Sequence, residues 1–265
     1  MGGDDRSEGR RRQESAAVVP LNALLLVSAA FLAGAINAVA GGGTFLTFPA
    51  LIVAGISPIA ANATSTAAVC PGALASALAY RRDVAGLGRG FLIGLVSISL
   101  VGGLVGALLL LWTPETTFSR LIPWLLLGAT LLFAGGRHVA QAVRSRVHVS
   151  PNAILIGQFF IAIYGGYFGG GIGILMLGMM TVAGFTDVHQ MNGIKALLSG
   201  CLNAVAVVTF AIAHKIVWPP ALLMAVAAIV GGYAGGAIAR RVSPAHIRAL
   251  VIVIGVAMTV YFFVK

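Results

Sequence analysis

The chain alternates long apolar runs with short polar stretches. Eight of the runs are close to the roughly 20 residues that an α-helix needs to cross a bilayer. They extend over residues 18–40, 62–80, 90–112, 118–136, 151–168, 192–213, 219–239 and 246–264. The pattern therefore predicts an all-α polytopic membrane protein with about eight transmembrane crossings.

Two shorter apolar pieces, residues 44–56 and 172–185, lie between the first and second runs of each half. A helix of that length reaches about 20 Å, because each residue adds about 1.5 Å, and the hydrocarbon core is about 30 Å thick. We therefore expect half-helices or re-entrant segments. Counting each piece together with the preceding run as one discontinuous crossing leaves the total at eight.

A run of three glycines precedes each short piece: Gly41, Gly42 and Gly43 in the first half, and Gly169, Gly170 and Gly171 in the second. Four further landmarks recur in the same order at a spacing of about 129 residues. They are Gly55 with Gly184, Asn62 with Asn192, Gly102 with Gly231, and Pro114 with Pro244. This order indicates an internal duplication.

The duplication divides the chain into four parts. Residues 1–15 are expected to form a disordered cytoplasmic tail, 16–136 the first transmembrane repeat, 137–150 a cytoplasmic linker and 151–265 the second repeat. Paired interruptions in corresponding halves are the best sequence indication of a transporter's binding site. The alternative is that the glycines allow close helix packing in lipid, which we favour for the Gly102 and Gly231 clusters.

Composition agrees with a membrane protein, since 59% of the residues are hydrophobic and 9% are charged. The net charge of +10 does not indicate nucleic-acid binding, because the basic residues lie between apolar runs without a stripe or interleaved aromatics. We interpret them as topology signals. The partners expected are a lipid bilayer and a small anionic substrate, and the oligomeric state is left open.

The basic residues favour both termini and the linker on the cytoplasmic side of the inner membrane. With eight crossings, twelve arginines and lysines fall inside and four outside. The outside pair Arg240 and Arg241 argues against this orientation. If the short pieces also cross, the halves become inverted repeats, and the sequence leaves that alternative open.

Little in the sequence indicates an enzyme or a cofactor. After the tail the acidic residues are Asp83, Glu115 and Asp187, too few for paired-carboxylate catalysis. No Walker loop, nucleophile elbow or metal-binding histidine pair occurs. Cys70 and Cys201 lie in apolar surroundings without metal-ligand spacing. We expect no catalysis, metal or cofactor.

Lys195 is the main candidate for substrate contact. An intramembrane cation costs about 2.5 to 3.5 kcal/mol on insertion scales and marks a functional site by default, whereas near a helix end it can instead snorkel to the headgroups. The other candidates are helix starts and glycine breaks, whose free N–H groups favour anions. The predicted anion site comprises Gly41, Gly42, Gly43, Thr44, Asn62, Thr64, Ser65, Gly169, Gly170, Gly171, Asn192 and Lys195.

Two residues of this predicted site, and two residues outside it, have a second interpretation. Asn62 and Asn192 are as well explained by ordinary helix capping, which is compatible with ligand contact. Asp187 and His189 precede the Lys195 helix and are candidates for proton coupling. A capping acid and a solvated loop histidine are the alternative for that pair.

At these residues the chain resembles the TauE/SafE family, the sulfite exporter permeases of bacteria and archaea. The resemblance covers about residues 18–264 and includes the glycine run with Pro49 and the stretch from Asn62 to Thr66. The second half departs from the pattern, with Gly178 near the position of the proline and Lys195 in place of a hydroxyl residue. The resemblance implies transport of a sulfur-containing anion such as sulfite, a sulfonate or thiosulfate.

Two functions are therefore carried forward. The first is a secondary transporter for a small, sulfur-containing anion that works by alternating access around the two breaks. The second is a non-transporting membrane subunit that assembles with a partner protein. Interrupted helices and a buried lysine favour the transporter, because a scaffold needs neither.

Overall fold

The structure, a computed structural model, describes residues 22–37, 41–144, 150–238 and 244–264, without the side chains of 137–144, 235–238, 244–248 and 250. The predicted tail and most of the linker lie outside this part. Every regular element within it is an α-helix. The eleven helices are α1 (Asn22–Asn37), α2 (Thr44–Val53), α3 (Pro58–Ala79), α4 (Arg81–Val84), α5 (Arg89–Trp112), α6 (Glu115–Arg144), α7 (Pro151–Tyr167), α8 (Ile172–Val182), α9 (Val188–Ile212), α10 (Trp218–Ile238) and α11 (Pro244–Val264).

The apolar runs predict these helices well, and the two short pieces are indeed short helices of 10 and 11 residues. The starts of α3 and α9 differ, since each begins four residues before the predicted Asn62 and Asn192. Proline at the first helical position starts α3 at Pro58, and the Asp187 side chain caps α9. Asn62 and Asn192 thus lie one turn inside their helices and cap neither.

Among the described residues, length and composition alone make three helices suitable for crossing a membrane: Arg89–Trp112, Glu115–Gly136 and Val188–Ile212. Five shorter helices there are also apolar: Asn22–Asn37, Thr44–Val53, Ile172–Val182, Trp218–Ala234 and Val251–Val264. Many large apolar side chains are exposed on the outside of the bundle, including Trp124 of α6, Phe160 of α7 and Leu222 of α10. Such a surface suits lipid rather than water.

The two ends of α5 define the two ends of the bundle, called here the Arg89 end and the Trp112 end. Helices α3 and α6 start together at the Trp112 end, where Ile59 N donates to Glu115 Oε1 at 3.1 Å. Helix α9 starts at the Arg89 end, where the His189 ring lies 6.4 Å from that of Tyr80. Helix α10 returns from the Trp112 end, because Val217 N donates to Thr64 Oγ1 at 3.0 Å.

Helices α7 and α8 form an antiparallel hairpin. Near its open end a side-chain carbon on Gly157 would lie 3.9 Å from Met179 Sδ, and near its turn one on Gly165 would lie 3.2 Å from Ile172 Cγ2. The Tyr164 hydroxyl closes the turn by donating to Gly170 O at 2.8 Å. The discontinuous crossing assumed in the sequence-based count is therefore wrong here, because α8 turns back and is re-entrant.

Helices α1 and α2 make the same turn. Gly41 N donates to Ile36 O at 3.1 Å, as Gly169 N donates to Tyr164 O at 3.2 Å. Helix α2 then runs to the start of α3 at the Trp112 end, so α1 runs from that end towards the Arg89 end. The three glycines make both turns feasible: Gly41 and Gly171 adopt φ values of 77° and 75°, which disfavour residues with a side chain.

This arrangement corrects the predicted position of the linker relative to the termini. Helix α7 runs parallel to α5 and begins at the Arg89 end, next to the linker. Helix α11 runs antiparallel to α6, since the ring of Trp124 lies 5.1 Å from that of Phe263 near the end of α11. Within the described residues, α1 therefore starts and α11 ends towards the Trp112 end, whereas α6 ends and α7 begins at the Arg89 end.

Glycines allow two pairs of helices to approach closely. Helix α5 packs along α7, where a side-chain carbon on Gly102 would lie 2.8 Å from Phe159 O. Helix α10 packs on α1, where one on Gly231 would overlap Phe31 O and one on Gly34 would overlap Ala228 O. Between these pairs α3 packs against α9, and the two helices form the centre of the bundle.

Candidate functional site

A cavity of about 540 Å³ extends from the Arg89 end to the middle of the bundle. It lies between α3 and α9, and α1, α10 and the starts of α2 and α8 complete its wall. The α3 residues in the wall run from Val69 to Tyr80, so the half of α3 nearer the Trp112 end takes no part. Elements on both sides of the linker thus build one cavity that reaches a single end of the bundle.

The two helix breaks meet beside this cavity. A side-chain carbon on Gly41 would lie 3.1 Å from Gly173 Cα, and one on Gly173 would lie 3.2 Å from Gly41 Cα. Only residues without side chains permit this contact between backbones. Gly41, Gly42 and Thr44 at the start of α2 line the cavity together with Ile172 and Gly173 at the start of α8.

These two helix starts supply positive electrostatic potential. The first N–H groups of a helix have no acceptor within the helix, and the helix dipole is positive at that end. The sequence-based expectation assigned this role both to the glycine breaks and to the starts of α3 and α9. The starts of α3 and α9 lie at opposite ends of the bundle, whereas the glycine breaks lead into the starts of α2 and α8, which lie together beside the cavity.

Lys195 contributes the one charged side chain among the lining residues. The lysine is 6% exposed, and its stem lies against α8, since a side-chain carbon on Gly173 would be 3.3 Å from Lys195 Cδ. Its Nζ donates to Asn192 Oδ1 at 2.9 Å. None of the three acidic residues in the described part, Asp83, Glu115 and Asp187, lines the cavity. The positive charge therefore faces the cavity with a neutral partner.

The structure adds four polar lining residues that the sequence-based interpretation missed: Asn37, Ser76, Ser199 and Asn203. Ser199 and Asn203 follow Lys195 at intervals of four residues, which place them on the same face of α9. That spacing could have identified them in the sequence. Asn37 Oδ1 accepts a hydrogen bond from Gly43 N at 2.8 Å and so stabilises the backbone of the first glycine break.

Asn62, Thr64 and Ser65 do not reach the cavity. Asn62 Nδ2 donates to Tyr167 O at 3.1 Å, and Ser65 Oγ lies 2.6 Å from Thr47 Oγ1. Thr64 Oγ1 accepts from Val217 N, as described above. The three side chains are fully buried, and Asn62 Oδ1 has no hydrogen-bond partner among the described residues. They form a polar plug between the floor of the cavity and the Trp112 end.

The second triple glycine also lies outside the cavity wall, as does Gly43. Gly169 and Gly171 shape the turn between α7 and α8, and Gly170 O accepts the Tyr164 hydroxyl. A side-chain carbon on Gly43 would lie 2.6 Å from Asn37 Nδ2. These four residues form the frame of the breaks, and the residues that follow them line the cavity.

Asp187 and His189 lie at the exposed start of α9. Asp187 Oδ1 accepts from His189 N at 2.9 Å, which is the capping interaction. Neither residue lines the cavity. Of the predicted site residues the structure therefore brings together Gly41, Gly42, Thr44, Asn192 and Lys195.

A helical membrane bundle in which two re-entrant hairpins enclose a cationic cavity is the arrangement of a membrane transport protein. The sequence profile of the sulfite exporter TauE/SafE family matches residues 26–262. The chain belongs to the TauE/SafE family. Only the first residues of α1 and the last of α11 lie outside the match within the described part.

Relatives of similar length carry transporter names. The probable membrane transporter protein YfcA of Escherichia coli K12 is 28% identical over 91% of this chain and 90% of its own. The probable membrane transporter protein ORF9 of a Sinorhizobium species is 30% identical over 89% and 90%, respectively. A probable membrane transporter protein of Haemophilus influenzae is 27% identical over 89% and 92%. No solved structure matches the chain.

Proposed function

We propose that the protein is a secondary transporter that carries a small anion through the cavity around Lys195. The observation that carries this proposal is a buried lysine with no carboxylate partner in the described part of the chain, in a cavity built by both halves. An unpaired cation in a low-dielectric site is unfavourable, and a bound anion would neutralise it. The starts of α2 and α8 would add N–H donors.

A sulfur-containing oxyanion suits these donors. Lys195 and the amides of Asn37, Asn192 and Asn203 offer hydrogen-bond donors, as do the hydroxyls of Ser76 and Ser199. The family description names sulfite as an exported substrate, and this supports the same class of anion here. A partner-binding scaffold, the second function considered, has no need for such a cavity.

We further propose that the two halves are inverted repeats. Their packing supports this, because several helix contacts occur in matching pairs: α5 with α7 and α10 with α1, α5 with α9 and α10 with α3, α8 with α6 and α2 with α11. The first half starts at the Trp112 end and the second at the Arg89 end. A two-fold rotation about an axis that lies in the membrane plane would exchange them, as in many transporters.

Inverted repeats suggest how access alternates. The cavity of this conformation reaches the Arg89 end. Asn62 and Ser65 of the polar plug lie further along the same face of α3, towards the Trp112 end. Buried polar side chains are energetically unfavourable inside a membrane protein, and they are expected where a substrate pathway opens. In the opposite conformation, the bonds from Asn62 to Tyr167 and from Ser65 to Thr47 would break and the Lys195 side would close.

The Arg89 end is proposed to face the cytoplasm. Nine arginines lie at or between the helix ends there, against Arg120, Lys215 and Lys265 at the Trp112 end and four arginines in the tail. Arg240 and Arg241, which argued against the sequence-based orientation, belong to the linker side because they connect α10 to α11. Both termini would then be external.

Uptake into proteoliposomes tests the transport function. We expect reconstituted protein to take up at least one of labelled sulfite, thiosulfate or methanesulfonate. Lys195→Met keeps the apolar stem and removes the charge, so the apparent affinity should fall roughly ten- to a hundredfold, the equivalent of a lost charge-assisted contact.

Lys215→Met is the matched control, because Lys215 is exposed at the Trp112 end and lies outside the cavity wall. It should transport like the unchanged protein. Equal uptake by Lys195→Met and Lys215→Met, at equal amounts of inserted protein, would refute the assignment of Lys195 as the anion contact.

A further inference from the structure

We infer that the protein binds a sodium ion in its first half, between α3 and α2, beside the polar plug. The ion would be a coupling ion that comes and goes, and its site is separate from the cavity around Lys195. The inference goes beyond the proposed anion transport. It follows from a buried oxygen of the plug and from the way in which the second half satisfies the equivalent atom.

The plug contains a buried oxygen that receives no hydrogen bond. Asn62 is 1% exposed, and its Nδ2 donates to Tyr167 O at 3.1 Å. Its Oδ1 has no hydrogen-bond partner among the described residues. An acceptor that is buried without a partner loses its hydration and gains nothing in return. A cation beside Asn62 Oδ1 would remove this cost.

The second half has the same asparagine beside a positive charge. Asn62 and Asn192 each lie four residues after the first residue of their helix, α3 and α9. Three residues further on, α3 has Ser65 and α9 has Lys195. Lys195 Nζ donates to Asn192 Oδ1 at 2.9 Å. The ammonium therefore shows that an asparagine oxygen at this distance from the helix start can hold a cation.

Ser65 and Lys195 also lie against the short helices that follow the two glycine breaks. Ser65 Oγ lies 2.6 Å from Thr47 Oγ1 of α2. The stem of Lys195 lies against α8, where a side-chain carbon on Gly173 would be 3.3 Å from Lys195 Cδ. A cation beside Asn62 would thus lie between α3 and α2, as the lysine side chain lies between α9 and α8.

The oxygens near Asn62 suit a small alkali ion. Ser65 lies three residues after Asn62 and therefore on the same face of α3. Thr47 Oγ1, which contacts Ser65 Oγ, lies 3.4 Å from Gly43 O at the first glycine break. Carbonyl oxygens replace the hydration shell of alkali ions in channels, and backbone carbonyls at helix breaks coordinate Na⁺ in transporters. The complete burial of the plug favours Na⁺ over the larger K⁺.

Glu115 would attract the ion towards this site. Of the described acidic residues it is the one at the Trp112 end, where it is exposed and its Oε1 accepts from Ile59 N. Ile59 lies about one helical turn before Asn62. The side chains of Asn62, Ser65 and Thr47 themselves do not ionise near neutral pH, so the site favours a metal cation over a proton.

A sodium ion at this position would link α2 to α3. The opposite conformation that we propose breaks the contacts of the plug, including the one between Ser65 and Thr47. Bound Na⁺ would therefore stabilise the conformation whose cavity reaches the Arg89 end. Through this preference a sodium gradient could drive the exchange between the two conformations.

Binding of radiolabelled Na⁺ to the purified protein in lipid nanodiscs tests the site in the absence of a sulfur-containing anion. Choline chloride replaces NaCl, so that ionic strength and chloride stay constant. We expect saturable binding. The melting temperature should rise by about 3 °C or more when Na⁺ is at about ten times its dissociation constant. K⁺ should displace the label at higher concentrations than unlabelled Na⁺ does.

Two fully buried serines provide a matched pair of variants. Ser65 Oγ contacts Thr47 Oγ1, and Ser99 Oγ accepts from Gln158 Nε2 at 2.8 Å between α5 and α7. Ser65→Ala removes a proposed ligand, so the affinity for Na⁺ should fall about tenfold or more. Ser99→Ala loses a comparable buried contact and should bind Na⁺ like the unchanged protein.

Ser65→Lys tests the correspondence between the halves. Its ammonium would take the place of Na⁺ beside Asn62 Oδ1, as that of Lys195 lies beside Asn192 Oδ1. Binding of Na⁺ should disappear, and the melting temperature should no longer depend on Na⁺. A melting temperature that still rises with Na⁺ in this variant would place the ion elsewhere.

The other outcomes are equally distinct. Absence of saturable binding, or equal Na⁺ affinity in Ser65→Ala and Ser99→Ala, would overturn the inference. Displacement of the label by K⁺ at concentrations as low as those of unlabelled Na⁺ would overturn the assignment of sodium. None of these results contradicts the proposed anion transport, which is tested separately by uptake that depends on Lys195.

Discussion

At the scale of single residues, Ser65 and Lys195 lie about two turns after the starts of α3 and α9 but have different surroundings. Ser65 is bonded to Thr47 and closes its side of the bundle. Lys195 has the neutral partner Asn192 and faces an open cavity. The cavity therefore receives its positive charge from α9, and α3 contributes none.

Asn37 allows a test of that charge without disturbing the lysine. Its Oδ1 accepts a hydrogen bond from Gly43 N, and Asn37→Asp keeps this acceptor while adding a negative charge to the cavity wall. Because the added charge repels a bound anion, methanesulfonate affinity should fall about tenfold or more, with little change in melting temperature. Calorimetry and thermal unfolding measure the two quantities.

Asn152→Asp is the control for this change, since Asn152 is exposed at the start of α7 and outside the cavity wall. It should leave the affinity unchanged. If Asn37→Asp binds the anion as tightly as Asn152→Asp does, the wall beside Asn37 is not part of the binding site.

Lys195 and the first glycine break could be selected from the sequence, because a charged residue and three consecutive glycines are both unfavourable in a membrane-spanning helix. Asn62, Thr64 and Ser65 are polar residues at the same distance from the start of α3 as Asn192 and Lys195 are from the start of α9, but they form the polar plug. Their burial against Thr47, Tyr167 and Val217 depends on contacts between distant segments, and no local pattern reveals those. Asn37 was missed because its partner, Gly43, lies across the turn.

At the scale of secondary-structure elements, hydrophobic length was sufficient to predict the helices but not their directions. Three glycines indicate that a helix ends, and they fit equally a helix that continues and a helix that turns back. The direction of α8 is determined by its packing on α7 and α6. Taking the short helices as parts of a crossing reversed, relative to the linker, the predicted directions of α1, α9, α10 and α11, whereas the directions of α3, α5 and α6 agree with the prediction.

The glycine pairs between long helices give a prediction about stability. Gly102→Ala should lower the free energy of unfolding by roughly 1 to 3 kcal/mol, because its Cβ would lie 2.8 Å from Phe159 O and 2.7 Å from Ala162 Cβ in the α5–α7 interface. Gly128→Ala, in α6 with no atom within 4 Å of its Cβ, should be neutral or gain up to about 1 kcal/mol. Thermal unfolding in nanodiscs compares the pair. Equal stability of the two variants would show that α5 and α7 do not need this close approach.

At the scale of the whole molecule, the cavity is open towards the Arg89 end, and the polar plug lies between its floor and the Trp112 end. Both halves contribute to its wall. In the mechanism that we propose, a relative movement of the halves transfers the site from one side to the other, and in the orientation that we propose the Arg89 end faces the cytoplasm. Together these proposals predict which side of the membrane reaches the cavity.

The most direct test of which side reaches the cavity is chemical labelling of the variant Ser76→Cys. The labelled protein carries alanine in place of the native Cys70 and Cys201. Ser76 lines the cavity, and Ser119 is exposed near the Trp112 end and provides the reference. A membrane-impermeant maleimide should label Ser76→Cys from the cytoplasmic side and Ser119→Cys from the external side. Methanesulfonate should slow the first reaction and leave the second unchanged. Labelling of both positions from the same side, or a Ser76→Cys reaction that the anion does not slow, would contradict the account.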